Sequence, residues 1–293
     1  MIATAQSESG TLRRVLLKHA REAFLDDDRI AAEWTDLKFT AAPDRARALD
    51  EYDAFVDILR TTGTEVHTLP DAPGTGLDSI YVRDASIVSD RGVVLCRMGK
   101  PQRRAEPAAQ EAACRAIGLN ILGTIEPPGR IEGGDVAWLD ARTLAVGRGY
   151  RTNDNGIRQL RWFLGDAVNI IVVALPHWRG ATDVFHLMSF LSPVDRDLAV
   201  VYSPLMPVPF REALLERGCA LVEVPDEEFD SMGANVLAIA PRRCVMAKGN
   251  PVTRRRLEAA GAEVFEYDGR EISLKGGGGP TCLTRPLLRD SPA

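Results

Sequence analysis

The stretch Ser86-Ile87-Val88-Ser89-Asp90-Arg91-Gly92-Val93-Val94-Leu95-Cys96 is two short β-branched runs, 86–88 and 93–96, on either side of Ser-Asp-Arg-Gly. Alternation broken by turn residues of this kind predicts a β-hairpin. Downstream, 106–117 carries apolar residues at helical spacing, and an apolar stretch follows before residue 125. The same order returns at 134–174, where 136–139 and 143–146 flank Asp-Ala-Arg, 156–164 reads as a helix and 170–175 as a strand. It returns again at 233–267, with strands at 236–239 and 264–267 around a helix at 253–260. Further strands are predicted at 15–17, 198–201 and 220–224, and further helices at 49–60 and 210–216. A hairpin–helix–strand unit of roughly 50 residues, recurring around the chain, points to a closed α/β repeat architecture. With no linker or low-complexity tract in view, residues 1–293 are expected to form a single domain.

One segment stands outside the pattern. Residues 20–44 are polar, contain Asp26-Asp27-Asp28, and scatter Phe24, Trp34 and Phe39 among them. They read either as a surface helix with a connection or as a lid over a pocket.

The 293 residues are 45% hydrophobic and 26% charged, the balance of a globular enzyme. A net charge of −5 disfavours nucleic acid or an anionic membrane as partner. No apolar run approaches the ~18 residues a membrane span needs, and residues 1–14 lack a signal-type apolar core. Cys96, Cys114, Cys219, Cys244 and Cys282 form an odd, scattered set without a CxxC pair, which suits a reducing cytoplasm and offers no finger-type zinc site. Walker, GxSxG, HExxH and dinucleotide motifs are absent from the sequence.

Four of the cysteines fall on predicted strands, strand entrances or an apolar helix face and read as core. Cys282 differs, following Gly276-Gly277-Gly278-Gly279-Pro280-Thr281. Glycines let backbone amides approach a ligand or thiolate, although a buried structural cysteine after a surface loop has the same pattern. His186, in an apolar run, reads equally as a core histidine or as the proton-transfer partner that a cysteine nucleophile wants. Glu132 and Asp135 flank Gly133-Gly134, and Asp84 leads into the first hairpin. Each is an ordinary turn former alone; two carboxylates facing one pocket would suit a planar guanidinium. Arg103 and Arg151 are either solvated cations or partners for a substrate carboxylate.

In chain order, Tyr-Val-Arg-Asp at 81–84, Arg-Met-Gly-Lys-Pro-Gln-Arg-Arg at 97–104, Ile-Glu-Gly-Gly-Asp at 131–135, Arg-Thr-Asn at 151–153, His-Leu-Met-Ser-Phe at 186–190, Met-Gly-Ala-Asn at 232–235 and the glycine-rich cysteine motif at 276–282 resemble the guanidino-modifying (pentein) superfamily. Dimethylarginine dimethylaminohydrolases, arginine deiminases and amidinotransferases belong to it. The resemblance implies a five-bladed α/β propeller of ββαβ repeats with pseudo-fivefold symmetry. It implies Cys282 as nucleophile, His186 as acid and base, and Asp84 and Glu132 as guanidinium ligands. Arg103 and Arg151 would take the substrate carboxylate, Asp78 would line the site, and 20–44 would be the lid. Met188 stands where deiminases and amidinotransferases carry an aspartate, which favours the dimethylargininase branch; the long glycine run is more deiminase-like. The expected chemistry is hydrolysis of an N-methylated arginine to citrulline through a covalent thiouronium, without metal or organic cofactor. Arginine deiminase, a citrulline-cleaving hydrolase, an amidinotransferase and a non-catalytic amino-acid-binding propeller are the alternatives. The expected partner is a small guanidino or ureido amino acid, with a homodimer as the assembly to test.

Overall fold

A computed structural model describes residues 3–183 and 185–291; Val184, in the run before His186, and the extreme ends of the 1–293 span lie outside the described residues. The predicted hairpin forms, Ser86–Ser89 pairing antiparallel with Gly92–Leu95. Ile121–Thr124 then joins Gly92–Leu95 in parallel, after the helix Glu106–Ala116. A parallel neighbour cannot be reached by a tight turn, so the helix is the crossover the topology requires.

Three more units copy this plan. Val136–Asp140 and Thr143–Arg148 are followed by the helix Asp154–Leu164 and the strand Asn169–Ala174. Leu191–Asp195 and Leu198–Val201 are followed by Val208–Glu216 and Ala220–Glu223. Leu237–Ala240 and Arg243–Ala247 are followed by Pro251–Ala259 and Glu263–Tyr267. The fifth unit is assembled from both ends of the chain. Its hairpin partners are the C-terminal Arg285–Asp290 and the N-terminal Leu12–Leu17, and its helix and outer strand are Arg45–Arg60 and Glu65–Thr68. Ala3–Thr4 adds a short edge on Arg285–Asp290. These five sheets are the blades of the expected α/β propeller.

Local chemistry places the helices. Asp44 accepts from the Arg47 amide (3.1 Å) to cap Arg45–Arg60, whose Tyr52, Phe55, Val56 and Leu59 are buried on one face as their spacing predicts. Asn153 caps Asp154–Leu164 by accepting from the Gly156 amide at 2.9 Å.

The apolar side chains cluster between neighbouring blades. One cluster joins Leu16 and Leu287 of the fifth blade to Val88, Val93 and Leu95 of the first hairpin. Buried ionic side chains do the same nearer the middle. Arg83 Nη2 donates to Glu8 Oε1 at 2.6 Å, and Arg289 Nη1 donates to the carbonyls of Gly10 (2.7 Å) and Ala238 (2.9 Å). Arg289, on the C-terminal strand, thereby holds the N-terminal segment against the Leu237–Ala240 blade.

Residues 20–44 are more embedded than a surface connection. After the helices Ala20–Phe24 and Asp27–Glu33, Leu37 and Phe39 join Phe24 and Ile30 in a buried cluster with Tyr81. Their aromatics, isolated in sequence, are what pins this segment down.

Leu287 is 3% exposed in the cluster that closes the ring. Leu287→Ala is expected to lower unfolding free energy by about 2–5 kcal/mol in denaturant titrations; a loss near zero would mean that the strand contributes little to closure.

Candidate active site

The loops between strands converge on a cavity of about 380 Å³. Asp78, Asp84, Arg103, Arg151, His186 and Cys282 all line it. Glu132 does not. It is 0% exposed and lies directly behind His186, whose Nε2 is 2.8 Å from Glu132 Oε2.

Five contacts fill this carboxylate. Oε1 accepts from the amides of Gly99 (2.8 Å) and Lys100 (3.2 Å) and from Arg151 Nη1 (3.2 Å). Oε2 accepts from Arg151 Nη1 (3.0 Å) and meets His186. The resemblance made Glu132 a guanidinium ligand; with its lone pairs spent and no face on the cavity, its contact is with the imidazole. Burial opposes its charge, but the hydrogen bond to His186 and the charges of Arg151 and His186 hold its pKa well below the usual carboxylate range.

Asp84 is the carboxylate that does face the cavity. Its Oδ1 accepts from the Gly134 amide at 3.0 Å and its Oδ2 from Arg103 Nη1 at 2.5 Å. His186 Nδ1 stands 3.9 Å from Oδ1, so the ring has a carboxylate toward each nitrogen. Gly134 makes this possible. A Cβ there would sit 2.5 Å from His186 Nδ1 and 2.7 Å from Asp84 Oδ1, so any side chain would push the pair apart. The Gly-Gly pair thus serves close approach of two functional side chains, beyond turn formation.

Asp135, whose part the sequence left open, fixes the ring from below. It is fully buried, accepts from Thr152 Oγ1 (2.6 Å) and from the Leu187 amide (3.1 Å), and so anchors the turn that follows His186. Burial costs the imidazolium, yet Asp84, Asp135 and Glu132 outweigh that cost and raise the His186 pKa to about 9.

Cys282 is partly exposed, unlike Cys96, Cys114, Cys219 and Cys244, which are buried. Asn235 Nδ2 donates to its Sγ at 3.3 Å, while Asn235 Oδ1 accepts from the Thr281 amide at 3.0 Å. The sequence offered Asn235 only as part of Met-Gly-Ala-Asn, with no contact to the thiol. Burial raises the Cys282 pKa to about 11 and Asp84 adds to it; the Asn235 hydrogen bond, Arg83 and the Gly279 amide work the other way. Gly276 packs onto Tyr81, where a Cβ would overlap the hydroxyl at 1.9 Å, so the glycine run is built into the wall rather than waving free. At neutral pH the resting pair is therefore thiol and imidazolium.

Arg103 is buried and engaged on every side, with Nε and Nη2 each 2.8 Å from Glu106, Nη2 2.8 Å from the Tyr81 carbonyl, and Nη1 on Asp84. In this arrangement it orients Asp84. Arg151 likewise spends Nη1 on Glu132. Asp78 Oδ2 accepts from Lys100 Nζ at 2.5 Å, a partner that the sequence did not flag. Leu37, Lys38 and Thr40 of the 20–44 segment line the cavity as well. Ligand atoms of Asp84, Glu132 and His186 lie within 4.8 Å of one another, a spacing that could hold a small cation. Glu132 is already filled by its five contacts and has no face on the cavity, so of the three only Asp84 presents a carboxylate to a bound ligand.

Comparison with known proteins shows the family and the fold. The family model for N,N dimethylarginine dimethylhydrolase, eukaryotic, matches residues 26–289. The chain belongs to the dimethylarginine dimethylaminohydrolase family. A dimethylarginine dimethylaminohydrolase of Streptomyces coelicolor is 34% identical over 244 residues, covering 82% of this chain and 86% of that one. The structure of the Pseudomonas aeruginosa dimethylarginine dimethylaminohydrolase, a mutant complexed with citrulline, superposes with a TM-score of 0.75 at 24% identity over 95% of this chain and 99% of that one. The N-terminal domain of ArgZ, a cyanobacterial arginine dihydrolase bound to product, reaches 0.80 at 19% identity over 96% and 99% of the two chains. Both likenesses speak to the shared propeller.

Two measurements probe the electrostatics. Alkylation of Cys282 by iodoacetamide in the substrate-free protein should be slow at pH 7 and climb with a midpoint near the raised value of about 11; a midpoint below the ordinary thiol value would contradict the burial argument. His186 rises from 6.5 to about 9 on folding, so its stabilising charge is fully present below pH 6.5 and lost as pH rises through about 9. The melting-temperature gap between wild type and His186→Gln should accordingly shrink between pH 6.5 and pH 10. A gap that stays constant would show that the ring is neutral in the folded protein.

Proposed function

We propose that this protein hydrolyses the guanidino group of an N-methylated arginine, giving citrulline and methylamine or dimethylamine, with Cys282 as nucleophile. The observation that carries the reading is the His186 imidazolium held between Asp84 and Glu132 in the same cavity as the Cys282 thiol.

Asp84 receives the guanidinium, its carboxylate accepting charge-assisted bonds of about 1.5–3 kcal/mol each. The arriving cation offsets the burial that keeps Cys282 protonated, and the thiol loses its proton to solvent. Sγ then attacks the guanidinium carbon. His186 gives the proton on Nδ1, the nitrogen turned toward Asp84, to the departing amine, and a thiouronium remains on sulfur. The imidazole, now neutral, takes a proton from water as the oxygen adds to the same carbon. As the C–S bond breaks, the hydroxyl proton of the adduct passes to sulfur, so that citrulline leaves with its C=O formed and the thiol is regenerated. Glu132 serves this cycle through His186, by stabilising the charged ring between turns. Arg151 and Arg103 keep the two carboxylates in place, and the free donors of Arg151 supply a partner for the substrate carboxylate.

Met188 supports a methylated substrate. Its buried thioether, 3.2 Å from Arg83 Nη2, presents an apolar wall where a third carboxylate would bind a bare amino end. The same reading has the propeller acting as one domain over 1–293 with 20–44 as its lid. It also sets the protein in the cytoplasm, where five free cysteines stay reduced; among the described residues no helix is long and apolar enough to cross a membrane. Sizing chromatography tests the homodimer.

The decisive assay is citrulline release from asymmetric dimethylarginine, monomethylarginine and arginine, with Cys282→Ser in parallel. Turnover of the methylated substrates, reduced at least 1,000-fold in a variant with unchanged circular dichroism, is expected from loss of the nucleophile (~4 kcal/mol). Turnover of arginine alone would make the protein a deiminase, and no citrulline from any of the three would overturn the guanidino-hydrolase reading.

A further inference from the structure

Lys100 takes no part in the chemistry above, yet its backbone and its side chain hold two different carboxylates of the site. Its amide, beside that of Gly99, donates to Glu132 and so fixes its backbone at the carboxylate behind His186. Its side chain holds the other carboxylate: Nζ donates to Asp78 Oδ2 at 2.5 Å and to the Leu37 carbonyl at 2.9 Å. The two charged side chains are 12% and 7% exposed, so this pair is screened from bulk water.

The two acceptors belong to different parts of the molecule. Asp78 lies in the turn Leu77–Ile80 that leads to Tyr81 and Asp84, whereas Leu37 lies in the segment over the cavity. One ammonium therefore fastens that segment to the floor. Other ties hold the segment on either side: Glu33 Oε2 accepts from the Leu77 amide at 2.9 Å, the Thr40 amide donates to the Lys275 carbonyl at 2.8 Å, and Lys275 Nζ donates to the Ala42 carbonyl at 2.9 Å. A carboxylate and a carbonyl converging at hydrogen-bond distance are what any primary ammonium seeks. An amino-acid substrate entering with its guanidinium on Asp84 brings a second cation, its α-ammonium, into a cavity also lined by Asp78, Asp183 and Asp230; Asp78 alone of these three is buried, and Lys100 already holds it.

We infer that Lys100 is a specificity-determining residue: its ammonium occupies the cation place between Asp78 and the Leu37 carbonyl, and an α-amino substrate must displace it to bind. This rests on the arginine-derivative reading of the site. Lys100 acts as a tethered competitor that raises KM for substrates with an α-ammonium. Displacing it transfers the Leu37 carbonyl from the protein's own cation to the substrate's, which makes the hold on the overhanging segment depend on the substrate. A guanidino acid without the amine leaves Lys100 where it is.

The test compares wild type, Lys100→Met and Lys100→Arg on asymmetric dimethylarginine and on its des-amino counterpart, 5-(N,N-dimethylguanidino)pentanoate. Lys100→Met removes the charge and keeps the stem. KM for the amino acid is expected to fall about 5- to 10-fold, the order for losing a tethered competitor, while KM for the des-amino acid stays level or rises. Lys100→Arg should restore the wild-type pattern. Equal rises in KM for both substrates would make Lys100 a support of the pocket and overturn the inference, as would unchanged values. Hydrogen exchange in the substrate-free protein reads the tie without turnover. Faster exchange at residues 37–42 in Lys100→Met supports it, and identical rates overturn it. Wild-type protein that turns over neither substrate would count against the proposed function, and the exchange result would then decide the role of Lys100 by itself.

Discussion

Glu132 is the carboxylate on which the rest of the site hangs. It draws donors from three blades: the amides of Gly99 and Lys100 follow the first hairpin, Arg151 follows the second, and His186 precedes the third. A buried charge deprived of its partners costs several kcal/mol, so these loops cannot drift apart without exposing an uncompensated carboxylate. The relative position of three blades is thus locked at the point where the proton-transfer group stands. His186 gains its orientation from Glu132 and shares the support of its charge among Asp84, Asp135 and Glu132. Asp135 repeats the device one layer down, tying the Thr152 hydroxyl to the Leu187 amide.

Cavities of this kind must be polar, yet a buried polar group without a partner is expensive. The site resolves this by pairing three of its buried carboxylates with cations: Asp84 with Arg103, Glu132 with Arg151 and His186, Asp78 with Lys100. The arrangement also explains why the Cys282 thiol stays protonated at rest. Burial and the Asp84 charge oppose a thiolate and outweigh the help it gets from Arg83 and Asn235. A reactive sulfur then appears only when something positive joins the site, which limits side reactions of the free protein.

The sequence made the repeat legible where each blade is continuous, at 84–125, 134–174 and 233–267. It hid two others for physical reasons. Leu191–Asp195 contains Pro193, and Arg285–Asp290 contains Pro286; both strands shift register beside their proline, where a missing N–H is tolerated. Such strands lack the β-branched alternation that marks their partners. Arg285–Asp290 also pairs with Leu12–Leu17, nearly the full chain away, and no local pattern carries that information. In the site, motif order pointed to Cys282, His186 and Asp84, and the structure places all three on one cavity. It could not tell which carboxylate faces the cavity, because Asp84 and Glu132 look alike in sequence and differ only in what surrounds them.

Lys100 marks the limit of reading by residue type. A lysine between Gly99 and Pro101 reads as a solvated loop cation, and nothing nearby in sequence suggests a partner. Its partners come from residues 37 and 78, brought over the cavity by the burial of Phe24, Ile30, Leu37 and Phe39 against Tyr81. That apolar packing, rather than any charge pattern, sets the Leu37 carbonyl within reach of the ammonium. Hydrophobic burial thus fixes where the segment lies, and the Lys100 ammonium shared between Asp78 and the Leu37 carbonyl governs what the cavity admits. Separating the two lets the tip release its hold without loss of the core beneath it.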